Sequence, residues 1–228
     1  MALMFYLLGG GTESDCKCGL AKRNTRIVGG TKTEVNEYPW QVGIVSKGSS
    51  SVWCGASLIS DRWILTAAHC TRGESASGIQ ALLGEHDYST TSETTMVRMA
   101  ISKIVNHPDY QHSTTNDDFS LLKMKKTIDF SKYAHIRPIC IPTDASKDYT
   151  DFTATVSGWG TLSSGGSTSN QLREVDVNVL SNTQCKNYNY PSSWITSQML
   201  CANVNGGGKD ACQGDSGNYL NNYLFNNF

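Results

Sequence analysis

Apolar residues in this chain recur in short runs and at alternate positions, with no long stretch at helical spacing. REVDVNVL, residues 173–180, is the clearest case. Val175, Val177 and Val179 fall on one face, and Glu174, Asp176 and Asn178 on the other. A period of two predicts a half-buried strand. WQVGIV (Trp40–Val45), WCGASLI (Trp53–Ile59), FSLLKM (Phe119–Met124) and ATVSGWG (Ala154–Gly160) predict further strands. Clusters of Gly, Ser, Asn and Asp separate them, and LSSGGSTSN (162–170) reads as a flexible surface loop. A short helix is expected near SNTQC (Ser181–Cys185), where serine can satisfy free N–H groups. The pattern as a whole predicts an all-β barrel or sandwich.

Composition narrows the setting. At 228 residues, 39% hydrophobic and 17% charged, the chain suits one globular unit. A formal net charge of −1 provides no basic field, so neither nucleic acid nor an acidic membrane is an expected partner. No apolar run approaches bilayer length, so no membrane span is expected. The start, MALMFYLLGGG, is apolar but short and lacks a basic n-region. The 8 cysteines point to disulfides in an oxidising, extracellular compartment, because their spacing does not read as a zinc site.

The first 26 residues differ from the rest. They carry Cys16 and Cys18, then GLAKRNTR, and end abruptly at IVGG. Two glycines after two β-branched residues let a segment move and refold. Arg26 offers a protease a cut before Ile27.

Three sites suggest chemistry. LTAAHC places His69 just after a strand, beside a cysteine whose disulfide would fix the backbone there. The other four histidines, His86, His107, His112 and His135, have polar or turn-forming neighbours and read as surface residues. TNDDFSLLKM puts Asp118 at the mouth of an apolar strand, where a carboxylate can orient a histidine; Asp117 is its rival. GDSG carries Ser216, whose hydroxyl is a poor nucleophile until a base removes its proton. The flanking glycines permit a tight turn, and the N–H groups of Gly214 and Ser216 can converge on a developing oxyanion.

Taken in order, His69, Asp118 and Ser216, set in IVGG, TAAHC and GDSG, resemble the trypsin-like, chymotrypsin-fold serine endopeptidases over residues 27–217. The resemblance implies two six-stranded antiparallel β-barrels with the active site between them. It implies that His69 is general base then acid, that Asp118 holds its tautomer, that Ser216 attacks the peptide carbonyl, and that Gly214 and Ser216 bind the oxyanion. Asp210 stands where trypsin-like members carry the acid at the base of the specificity pocket, which implies cleavage after Lys or Arg. The lead implies a zymogen: cutting at Arg26 frees the amino group of Ile27 to pair with Asp215. The family disulfides carry over as Cys54–Cys70, Cys185–Cys201 and Cys18–Cys140, with Cys16 as the rival partner for Cys140. Cys16 and Cys212 are otherwise unassigned. No organic cofactor is implied. Glu85, Asp87 and Glu93 lie where some relatives bind calcium, and a solvated acidic loop is the plainer reading. Partners implied are protein substrates and protein protease inhibitors, acting on a secreted monomer.

The pattern departs from the family after GDSG. The family continues with Gly-Pro, the last strands of the second barrel, a Ser-Trp-Gly wall, a further cysteine and a terminal helix. NYLNNYLFNNF supplies none of these. The expected organisation is therefore a lead and activation peptide at 1–26, an incomplete protease domain at 27–217, and an aberrant tail at 218–228. A barrel lacking strands exposes an edge and part of its core, so the expectation is a truncated chain with impaired activity. The alternative is an inactive fragment, or a non-catalytic homologue that acts as a binding protein.

Overall fold

The computed structural model describes residues 18–22, 31–144, 146–161, 167–187 and 192–203. Ten strands and two short α-helices form among them. Six strands close a barrel: β2 (Gln41–Ser46), β3 (Val52–Leu58), β4 (Trp63–Thr66), β5 (Ile79–Leu83), β6 (Val97–Asn106) and β7 (Ser120–Met124). Around the barrel the order is β2-β3-β4-β7-β6-β5, and every pairing is antiparallel. Closure removes the free edges that an open sheet of this size would expose.

The barrel core is aliphatic. Val42, Ile44, Leu58, Ile64, Leu122 and Met124 are fully buried. On β7 the alternation is plain: Ser120, Leu122 and Met124 are buried, while Leu121 and Lys123 are only partly covered. Strand β2 breaks the alternation and is buried at five successive positions. Its outward face is covered too, so the glutamine there needs a hydrogen-bond partner. Buried Gln41 accepts a hydrogen bond from Ser157 Oγ at 2.8 Å. Gly43 on the same strand is a packing requirement, since a Cβ there would lie 2.7 Å from Val52 Cγ2.

Among the described residues the second half forms a four-stranded antiparallel sheet. Strand β9 (Arg173–Leu180) pairs along one edge with β8 (Thr153–Gly158). Its other edge takes β1 (Thr31–Lys32) at one end and β10 (Cys201–Asn203) at the other. Ala154, Val156, Val177 and Val179 form its small core. The alternation read in REVDVNVL gives this strand with the same bounds, but one polar position departs from expectation. Glu174 is buried, because the Tyr38 hydroxyl donates to its carboxylate from the other half. Helix α2 (Asn182–Lys186) follows at once, with Ser181 as its cap. Ser181 Oγ accepts from Gln184 N, and the Gln184 side chain returns to Ser181 N. That reciprocal pair satisfies two end groups which a helix this short could not otherwise serve.

His86 is a correction to the reading of it as a surface residue. It is 5% exposed and lies where the halves meet. Its Nε2 faces Thr33 O and its Nδ1 faces Glu93, each at 3.0 Å. Its carbonyl accepts from Trp159 Nε1 at 3.0 Å and from Leu172 N at 2.9 Å. Trp159, 1% exposed, is thereby fixed against the barrel. The halves are joined by polar contacts threaded through apolar packing, so their relative placement is specific.

Among the described residues three disulfides form: Cys18–Cys140, Cys54–Cys70 and Cys185–Cys201. The first holds residues 18–22 against the barrel side, where Gly19 N donates to Pro138 O and Lys22 N to Glu37 O. Cys16, the activation junction at Arg26 and Ile27, most of the LSSGGSTSN loop, and everything from residue 204 onward lie outside the described residues. The expectations for the end of the second barrel and for the tail fall there. No described helix is long and apolar enough to cross a membrane.

Candidate active site

The site is built at the rim of the barrel, where two adjacent strands end. Strand β4 pairs with β7, with Thr66 opposite Ser120. The chain leaving β4 and the chain entering β7 therefore meet at the same end. Thr66 Oγ1 anchors the first of these by donating to Gly55 O at 2.8 Å. Helix α1 (Ala68–Thr71), a single turn, follows immediately and carries His69. Its backbone is held twice more. Cys70 is bonded to Cys54 of β3, and Thr71 Oγ1 donates to Asn106 Oδ1 of β6 at 2.6 Å.

On the other side, Asp118 sits two residues before β7. Phe119 N donates to Asp117 O at 2.8 Å, which draws the backbone into a tight turn around Asp118. Asp117 and Thr115 both have left-handed backbones, with φ of 55° and 53°. Left-handed conformations are costly away from glycine, and two so close together mark a loop held by its surroundings.

The two segments meet through the Asp118 carboxylate. Its Oδ2 lies 2.6 Å from His69 Nδ1, and its Oδ1 accepts from His69 N at 2.8 Å. One carboxylate thus fixes both the backbone and the ring of the same histidine. Nδ1 donates in this arrangement, which leaves Nε2 with its lone pair free to accept a proton. The pair is neither sunk in the core nor fully solvated: the side chains are 33% and 20% exposed. Asp117, the rival, points elsewhere and accepts from Asn116 Nδ2 at 2.7 Å. Tyr110 also belongs to this corner. Burial pushes its phenol up from the ordinary value, and the charge of Asp118 adds to the effect.

Cys70 Sγ lies 3.6 Å from His69 Nε2, and Cys54, His69 and Cys70 are close enough together to suggest a metal site. Both sulfurs are spent in the disulfide, so no thiolate is offered to a metal. Ser216, Gly214, Asp210, Asp215 and Cys212 are outside the described residues.

The acidic stretch after β5 is tied down by the protein itself. Glu85 Oε1 accepts from His86 N at 3.0 Å, Asp87 Oδ1 from Ser89 N at 2.9 Å, and Glu93 faces His86 Nδ1. Burial raises the Glu85 carboxyl above its ordinary 4.5, with the charges of Glu93 and Asp87 adding to this. The Ser89 hydroxyl lowers that of Asp87. An acid raised by folding binds more protons in the native chain than in the unfolded one between its ordinary and its raised value. Stability contributed there is present below that window and lost as pH climbs through it. Glu85→Gln should therefore shrink the loss of stability on going from about pH 4 to about pH 8. Urea midpoints at the two pH values measure this, and an unchanged loss would remove Glu85 from the account.

A histidine presented on one turn after a barrel strand, and braced by an aspartate from the next strand, is the arrangement of a chymotrypsin-fold protein. The sequence comparisons identify the group more narrowly. The trypsin family matches residues 27–222. Serine proteinase stubble of Drosophila melanogaster is 38% identical over 215 residues, covering 90% of this chain and 27% of that protein. Venom serine protease of Polistes dominula is 35% identical over 90% of this chain and 73% of its own length. Trypsin-1 of Astacus astacus is 37% identical over 85% of this chain and 81% of its own. The chain belongs to the trypsin family of serine proteases. It spans about a quarter of stubble and most of the other two relatives.

Proposed function

We propose that this chain is a secreted serine endopeptidase that cuts after Lys or Arg and is made as a precursor activated between Arg26 and Ile27. The observation that carries the reading is the double hold of Asp118 on His69, at 2.6 Å and 2.8 Å. A surface histidine needs no such brace. A general base does, because proton transfer requires one tautomer in one orientation.

In the proposed reaction His69 Nε2 takes the proton of Ser216 Oγ as that oxygen attacks the peptide carbonyl. Asp118 stabilises the resulting imidazolium. The N–H groups of Gly214 and Ser216 stabilise the oxyanion, and His69 returns the proton to the leaving amine. Water repeats the sequence to release the acid. Asp210, at the base of the pocket, receives the basic side chain of the substrate. A buried carboxylate is costly alone and gains from an incoming cation. After cleavage at Arg26 the new amino group of Ile27 pairs with Asp215 and orders the oxyanion site. No organic cofactor is needed for these steps. Secretion is supported by the three disulfides and by a relative named as a venom protease. The protease domain is taken as residues 27–217, acting as a monomer on protein substrates and open to protein inhibitors.

An active-site-directed fluorophosphonate tests the reading. After cleavage at Arg26, peptide mapping should find the phosphonyl group on Ser216, with labelling abolished in both Ser216→Ala and His69→Ala. Absence of labelling at Ser216 in the cleaved parent would defeat the catalytic reading and favour a binding role.

A further inference from the structure

The brace on His69 is itself braced from the other half of the molecule. Thr196 lies in the turn between the 3-10 helix Ser192–Trp194 and β10. Its Oγ1 donates to Asn116 Oδ1 at 2.6 Å, across a sequence separation of 80. The other end of the same amide, Asn116 Nδ2, donates to Asp117 Oδ2 at 2.7 Å. Asp117 in turn closes the tight turn around Asp118 through its carbonyl. Asn116 sits between Thr115 and Asp117, both of which have left-handed backbone.

Thr196 is also fixed from behind. Asn182, at the start of α2, donates from Nδ2 to Thr196 O at 2.8 Å and to Met199 O at 3.2 Å. Cys185 of the same helix is bonded to Cys201 at the start of β10. The turn is thus a rigid platform, and its hydroxyl reaches the strained loop that carries the catalytic carboxylate.

We propose that Thr196 is a positioning residue for the proposed reaction: through Asn116 it holds the Asp118 loop in the conformation that orients His69. The inference rests on the serine protease reading of the His69–Asp118 pair. Left-handed residues on both sides of Asn116 relax readily once its outside partner is gone. The barrel alone supplies both members of the pair, yet the second half sets their geometry. Docking of the two halves is therefore coupled to the readiness of the base.

The experiment uses the full chain, compared with Thr196→Val, Thr196→Ser and Asn116→Ala. The direct readout is the downfield proton resonance of His69 Nδ1–H, assigned by its loss in His69→Ala. In the parent and in Thr196→Ser the resonance should be sharp. In Thr196→Val it should broaden and exchange faster with water, while amide spectra away from residues 110–120 stay unchanged. After cleavage at Arg26, kcat should fall roughly three- to tenfold in Thr196→Val with KM within about twofold, and return in Thr196→Ser. Asn116→Ala should lose at least as much, since it removes the bonds to both Thr196 and Asp117, and adding Thr196→Val to it should cost nothing further, because the Thr196–Asn116 bond is already gone. If Thr196→Val does not fold, Asn116→Ala carries the test. A parent without the resonance would overturn the reading of the pair itself. A parent with it, and variants with an equally sharp one, would overturn only the role of Thr196.

Discussion

Replacing Asp118 by asparagine should lower kcat for an amide substrate by about 10⁴-fold while the barrel stays folded. The size of the effect follows from what the carboxylate does twice. Oδ2 accepts from His69 Nδ1, and Oδ1 accepts from His69 N. An asparagine can keep one of these contacts with its oxygen, but it turns an N–H₂ toward the other. If the oxygen stays on the backbone N–H, the amide donates to Nδ1, and the proton must move to Nε2. A ring protonated at Nε2 cannot accept the proton of Ser216 Oγ. In the proposed reaction, loss of the negative charge would also remove the group that stabilises the imidazolium. Asp117→Asn is the matched control. Its carboxylate accepts only a local hydrogen bond from Asn116 and makes no contact with His69, so the loss should be smaller by orders of magnitude, about tenfold at most. Equal losses in the two variants would mean that the loop, and not the Asp118 carboxylate, is what matters. The measurements are kcat and KM on the Arg26-cleaved chain, with circular dichroism to show that both variants fold.

The sequence made some of this legible, and the reason is period. Strand β9 was readable to the residue, because Val175, Val177 and Val179 alternate with polar neighbours. The capped helix after it was readable within one residue, because the Ser181–Gln184 cap is local chemistry. His69 and Asp118 could be picked out by their neighbours: a disulfide cysteine on one side, an apolar strand on the other. In the sequence only one residue of proximity to that strand separates Asp118 from Asp117; in the fold Asp118 is the one that lies 2.6 Å from His69 Nδ1. What stayed hidden depends on distant pairings. Glu174 reads as a solvent-facing charge until Tyr38 is placed over it. His86 reads as a surface residue until Thr33, Glu93 and Trp159 converge on it from three segments. Thr196 gives no signal in its own stretch, because its partner is 80 residues away. Period and capping are written locally, whereas contacts between halves appear only once both are folded.

The second large effect joins stability to the site. Leu122→Ala should destabilise the chain by about 2–5 kcal/mol. Leu122 is fully buried and stands opposite Ile64 on β4 and Ile104 on β6. Truncation loses the transfer energy of the side chain and leaves a cavity, because two hydrogen-bonded neighbours hold the strand in place and limit collapse. The position matters for function as well. The β4–β7 pair brings His69 and Asp118 to one rim, with Thr66 registered against Ser120. A barrel loosened at Leu122 should therefore lose the pair when it melts, not before. Well below the transition, kcat should stay near the parent value. Activity and circular dichroism should then fall together on heating, at a lower temperature than in the parent. Lys123→Ala on the outer face is the control. The ammonium of Lys123 lies 5.3 Å from the Trp63 ring centroid, both side chains are partly covered, and a surface contact of this kind is worth about 0.5–1 kcal/mol. A Leu122→Ala loss no greater than that of Lys123→Ala would show that β7 is not a central barrel strand. The rim would then need some other support.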